Sequence, residues 1–233
     1  MSPHKVDPNV DYKRLHELSE EFTALWNRLQ ALYLDAAAGF MFVHANVEAY
    51  QKKARQYVEG SELDSEAFQD TRRFDYTNIL PDGFVTSAIH QSTQGEAKER
   101  NKSGGQNFIM MAQLCIVSFY DFWEEYLRRE YAVAKGKLAR EEKDDDRIKE
   151  AVRHHARHDI WGDLYYFRTS IVHKLGVANS DVARCRVFQW FKPDDEMNFT
   201  PAQMREIFLA LLAFRNELFS EQFPEHYIEI PPV

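Results

Sequence analysis

Apolar side chains recur along this chain at steps of three and four. A helix gathers such positions onto one face and a strand does not. Leu15, Leu18, Phe22, Leu25, Leu29 and Leu32 make the first such seam and predict a long N-terminal helix. The seam spans only about two and a half heptads, short for a free-standing coiled coil, so it is expected to pack on other helices of the same fold or of a dimer. Ala36 to Gly39 weakens the pattern and is a candidate kink. Periodicity then resumes weakly through Val43, Val47 and Tyr50 toward Tyr57, and Gly60 with Ser61 ends it.

The segment Phe108 to Tyr131 is richly apolar at Ile109, Ala112, Ile116, Phe119, Trp123, Tyr126 and Leu127, and reads as the central core helix. Asp144, Asp145 and Asp146 suit the positive end of a helix dipole. A helix or broken pair of helices is expected from Arg147 to Leu175, with Gly162 as the candidate break. The last helix carries the fullest signal: Thr200 as N-cap, Pro201 at the first helical position, Gln203 to complete a capping box, and Phe199 to staple on Met204. Its expected apolar face is Phe208, Leu211, Leu212, Leu218 and Phe219. Only Val187 to Phe191 has β-type composition, enough for one short strand or extended arm and not for a sheet-based fold.

These patterns predict an all-α bundle of about four to six helices with a long N-terminal helix and at most one short β-type arm. Residues 1–102 read as an N-terminal helical region. A polar, turn-rich stretch from Thr71 to Gly105, marked by Pro81, Asp82-Gly83, Gly95 and Ser103-Gly104-Gly105, leads from it into the next region. The Ser-Gly-Gly cluster lacks the Lys and Ser/Thr of a phosphate loop and reads as a helix-entry turn. Residues 103–222 read as the helical core and 223–233 as a tail, all within one compact domain; 233 residues with 44% apolar content suffice for a sizeable core.

Cys115 and Cys185 are too few and too dispersed for a disulfide framework or a zinc cluster, which favours a reducing compartment. Neither a secretion signal nor a membrane span is legible, so a cytoplasmic protein with no membrane partner is expected. A net charge of -8 argues against generalised nucleic-acid binding. Between Arg147 and Lys192, however, nine basic side chains stand against four acids, a local excess able to attract phosphate if the charges share a face.

The candidate chemistry lies in Arg168-Thr169-Ser170-Ile171-Val172-His173-Lys174-Leu175-Gly176. Leu164, Phe167, Ile171, Val172 and Leu175 share a helical stripe expected to be buried, Lys174 suits the last turn and Gly176 a C-terminal cap. His173 therefore falls in the final turn of a helix. Thr169 lies one turn back on the same face, and Arg168 is long enough to reach toward both. Arg153 to His158 repeats the spacing, but it encloses His154, His155 and Arg157 and reads as an exposed polar face.

Together with the preceding Phe167, the run from Arg168 to Gly176 resembles the HEPN domain superfamily. Its members carry Arg, a polar residue, a few apolar residues and His near a helix end, often followed by Gly. The upstream segment Leu114 to Tyr131 is similar to that family's core helix, which tends to hold an acidic residue near an aromatic-Leu pair, here Glu124 or Glu125 before Tyr126-Leu127. The resemblance covers roughly residues 103–222. It implies a helical bundle, a homodimer that brings two motifs together, and, in active members, metal-independent cleavage of RNA by a toxin or defence effector. It assigns catalysis to Arg168, His173 and Thr169, with Asp121, Glu124, Tyr165 and Lys174 in support; Thr169 stands where active members carry Asn, Asp or His. The alternative is a silent module that dimerises or binds a protein partner, such as a cognate antitoxin, or a nucleotide-containing ligand.

No cofactor is expected. His154 and His158 are one turn apart and form a weak metal candidate, but His155 stands where a zinc protease places Glu. Signatures of serine hydrolases, dinucleotide turns and CxxC sites are missing, and Trp26, Trp123, Trp161 and Trp190 read as core.

Overall fold

The first helix starts where the Asp11 carboxylate accepts a hydrogen bond from the Arg14 backbone N–H at 2.9 Å, and it runs unbroken from Tyr12 to Arg55 (α1). The computed structural model describes residues 7–74, 92–155, 158–219, 223 and 228. Ala36 to Gly39 does not interrupt α1: three consecutive alanines lose the apolar pattern while keeping high helix propensity.

The helices α2 (Glu66–Thr71), α3 (Gln94–Asn101), α4 (Gln106–Phe122), α5 (Arg128–Ala134), α6 (Asp145–His155), α7 (Asp159–Lys174) and α8 (Pro201–Phe219) follow. A π-helical turn, Trp123–Leu127, joins α4 to α5. Two short strands, β1 (Arg73–Phe74) and β2 (Ser92–Thr93), pair antiparallel with Arg73 opposite Thr93. The fold is all-α with a long N-terminal helix and one small two-stranded sheet, and no helix of the described residues is long and apolar enough to cross a membrane.

Contacts divide the chain into two compact units. The first comprises residues 1–31, 113–198 and 202–233. Its core sets Leu15, Leu18 and Phe22 of α1 with aromatic residues of the later helices: Phe22 lies 6.5 Å from the half-buried Phe122 and 6.3 Å from the buried Phe214, and Phe119 packs edge-on to Phe208 at 5.7 Å. Trp26 donates its indole N–H to the Phe208 carbonyl at 2.8 Å. The expected apolar face of α8 is buried at Phe208, Leu211, Leu212 and Phe219, with Leu218 half-buried. Asn216 exchanges two hydrogen bonds with the backbone of Ile228, which ties that residue of the tail to α8.

The second unit comprises residues 32–112 and 199–201. It buries Val47, Phe74 and Ala97, and sets Lys98 2.9 Å from Glu66 and 2.8 Å from Asp70. Part of the stretch read as a loop is helical: Gln94–Asn101 forms α3. Thr93 and Glu96 form a reciprocal capping box that starts α3, an S/T-x-x-E signal that the surrounding turn residues obscured. Residues 75–91, the centre of that stretch, lie outside the described residues.

The expected break between Arg147 and Leu175 is present but not at Gly162, through which α7 passes intact. The break precedes α7, where His158 in extended conformation caps the helix by accepting the Ile160 N–H. Val187 to Phe191 forms no strand; in that region the described residues contain one isolated bridge, Val177 to Glu196.

Candidate functional site

The candidate site grows from the C-terminal half of α7. Leu164 and Phe167 are fully buried and fix which way the helix faces. Ser170 is buried too; its hydroxyl donates to the Tyr166 carbonyl at 2.9 Å and accepts the Asn179 N–H at 3.1 Å, pinning the returning chain. The helix ends with two left-handed residues. Leu175 (φ 53°) comes first and Gly176 (φ 84°) second, so the cap expected at the glycine begins one residue earlier. The N–H groups of Leu175 and Gly176 both bond the Ser170 carbonyl, the latter at 3.2 Å, and close the helix end. Gly176 is favoured by its left-handed φ; a Cβ there would stand 2.7 Å from the terminal nitrogen of the flexible Gln113 side chain, which would have to move aside.

Gln113 near Gly176 and Asp121 near Arg168 show that α4 and α7 run antiparallel along this face. Arg168 Nε lies 3.4 Å from Asp121 Oδ1, an ion pair too poorly aligned to count as a hydrogen bond, so the buried Nε has no hydrogen-bond partner among the described residues. Thr169 is half-buried, while His173 and Lys174 are exposed. Of the supporting residues, Asp121 is brought to Arg168. Tyr165 lies nearly one turn before it, with its ring 5.7 Å from Tyr120. Glu124 is engaged elsewhere: its carboxylate accepts the Tyr120 hydroxyl at 2.9 Å and pairs with Arg128.

The stripe expected to be buried is buried only in part. Leu164 and Phe167 are covered and Ile171 half-covered, but Val172 is 44% and Leu175 94% exposed, because no element of the described chain lies over the last turn of α7. Leu114, on the neighbouring turn of α4, is 59% exposed and Val177 is exposed as well. Arg168, Thr169 and His173 are therefore bordered by uncovered apolar side chains.

The local positive excess is partly neutralised. Arg186 pairs with Asp159 at 3.1 Å, Arg184 with Asp181 at 3.4 Å, Arg147 with Glu142 at 3.6 Å, and Arg168 with Asp121. The last two acids lie outside the Arg147–Lys192 window, which is why counting within it overstated the charge. His158 is not a free ligand: Nδ1 accepts the Ile160 N–H, so Nε2 carries the proton that faces Glu217 at 3.3 Å. The side chain of His154 lies outside the described residues, and no group of three potential metal ligands occurs among those described.

Asp163 escaped notice in the sequence. It is 1% exposed, and its carboxylate accepts backbone N–H groups of Arg186 (2.9 Å), Val187 (2.7 Å) and Phe188 (2.8 Å). One acid thus does for the arm at 186–188 what a partner strand would have done, and it seats Phe188 and Trp190 against Phe167. Its signal was an acid beside Leu164 on the buried face of an amphipathic helix. Trp123 and Trp161, read as core, are buried and stacked 4.5 Å apart and within 3° of parallel.

No protein-family model matches the sequence, and comparison with curated proteins and with solved structures gives no match.

Proposed function

We propose that this chain is a HEPN-family protein that cleaves RNA without a metal ion, as a homodimer in which two copies of the Arg168, Thr169 and His173 set meet across the α7 end. The observation that carries the reading is Leu175, which holds a left-handed backbone and 94% exposure two residues from His173. Together with Val172, Val177 and Leu114 it gives the polar set an apolar border of the kind a second copy covers.

The chemistry follows from the groups. One imidazole takes the proton of the RNA 2′-hydroxyl, whose oxygen attacks the adjacent phosphorus. His173 of the partner subunit gives a proton to the departing 5′-oxygen, leaving a 2′,3′-cyclic phosphate and a free 5′-hydroxyl. Arg168 donates to the phosphate oxygens as negative charge builds, and Thr169 adds a hydroxyl donor. Such an activity fits a cytoplasmic toxin or defence effector restrained by a partner protein.

The Asp121 pair favours a second reading, in which Arg168 is neutralised and the protein is a silent module that dimerises or binds a protein or nucleotide-containing partner. One experiment separates the two: mixed RNA is incubated with wild type and with His173→Ala in excess EDTA, and the mass of each protein is measured by light scattering. Fragments from the wild-type dimer alone support cleavage. Equal, negligible cleavage by two proteins of dimer mass leaves the silent module, and a monomeric wild type sinks both dimer readings.

A further inference from the structure

A cleft of about 710 Å³ opens between the π-helical turn, α6 and α7, in the range of small-ligand sites. Three features distinguish it from a gap between helices. The first is the stacked pair Trp123 and Trp161 in its wall. Trp161 is 4% exposed, yet its indole N–H has no hydrogen-bond partner among the described residues. A buried donor without an acceptor is destabilising, and an acceptor atom on a ligand would relieve it.

The second is Gly162, also in the wall and inside α7. Glycine weakens a helix relative to alanine, and here neither a left-handed φ nor crowding demands it: a Cβ would meet nothing within 4 Å. What the missing side chain leaves is open space in the wall of the cleft. The third is charge. Arg128, Arg184 and Arg186 in the cleft are each matched by an acid, namely Glu124, Asp181 and Asp159, whereas Lys149 is paired with none among the described residues.

We infer that this cleft binds a planar aromatic anion, its ring held at the aromatic wall beside Gly162, an acceptor atom at the Trp161 N–H, and its carboxylate or phosphate facing Lys149. The site is separate from Arg168 and His173, and the inference holds whether or not RNA is cleaved.

Isothermal titration with the full chain tests it, using 1-naphthoate, 1-naphthyl phosphate, 1-naphthalenemethanol and inorganic phosphate as probes. At least one naphthyl anion is expected to bind saturably, about tenfold or more tighter than the neutral alcohol or phosphate alone, as loss of a charge-assisted contact implies. Comparable binding of both anions assigns the preference to charge; preference for one identifies its carboxylate or phosphate source. Gly162→Ala keeps the fold and controls for helix effects, Gly162→Leu fills the space and abolishes binding, and Lys149→Met weakens it about tenfold. Trp161→Phe keeps the ring, loses the donor, weakens binding and does not lower the melting temperature. The inference is overturned if neither anion saturates at millimolar concentration, if the alcohol binds as tightly, or if a folded Gly162→Leu binds like wild type.

Discussion

Arg168 reaches from α7 toward α4 and brings its Nε within 3.4 Å of Asp121 Oδ1, close enough to match charge but not aligned for a hydrogen bond. The guanidinium is held in position with donor capacity left over. Its side chain is 31% and that of Asp121 47% exposed, so solvent screens the pair and its attraction is modest. A phosphate oxygen that offers aligned acceptors can compete for Arg168.

On the proposed RNA-cleaving reading, Asp121→Asn should therefore tighten binding of single-stranded RNA severalfold, corresponding to roughly 1 kcal/mol or less. Fluorescence anisotropy on a labelled oligonucleotide at fixed salt measures it. Unchanged or weaker binding would mean that the acid does not compete with phosphate.

Leu175 separates two effects at one position. Leu175→Gly should raise stability by about 1 kcal/mol, because glycine adopts the left-handed conformation without the steric cost a leucine bears. It should also weaken the proposed homodimer by removing the most exposed apolar side chain of the α7 end. Urea unfolding and light scattering report the two separately; a less stable variant contradicts the backbone argument, and an unaltered dimer contradicts the interface.

Asp163→Ala removes the acceptor of three backbone donors at once. Leaving a buried donor unpaired costs about 1–3 kcal/mol; the Phe188 N–H is buried and those of Arg186 and Val187 are part-buried and open to water entry, so a net loss of about 3 kcal/mol is expected in urea. An unchanged unfolding midpoint would show that the arm at 186–188 is held by its aromatic packing alone.

Burial pushes the Cys115 thiol up to about 11, and burial followed by the nearby Asp163 charge pushes Cys185 up to about 12. Both folded values exceed the ordinary thiol value of about 8.5, so the unfolded chain releases these protons first. Their contribution to stability is complete below about pH 8.5 and is lost as pH rises through the folded values. Stability should fall from about pH 9 to about pH 11, and the Cys115→Ala, Cys185→Ala protein should fall less steeply than wild type. At about pH 7.5 iodoacetamide should alkylate neither thiol in the folded protein and both in urea; rapid labelling of the folded chain would refute the burial of these groups.

Periodicity alone specified the helices because burial selects every third or fourth side chain whatever the partner is. Leu15, Leu18 and Phe22, the α4 positions Ala112, Ile116 and Phe119, and Pro201 at the start of α8 were all legible for that reason or from local capping chemistry. Capping signals also placed His173 in the last turn of α7. The same logic failed at α3, where turn-forming neighbours masked a capping box, and at Gly162, where a helix tolerated a residue expected to break it.

Local sequence thus determined which segments are helical and that an arginine, a threonine and a histidine gather near one helix end, since those depend on spacing of a few residues. Tertiary structure decided what lies opposite them: Asp121 beside Arg168, Asp163 beneath the arm at 186–188, and open solvent over Val172 and Leu175. Those outcomes depend on where residues tens of positions away come to rest, and periodicity within one helix carries no record of its neighbours.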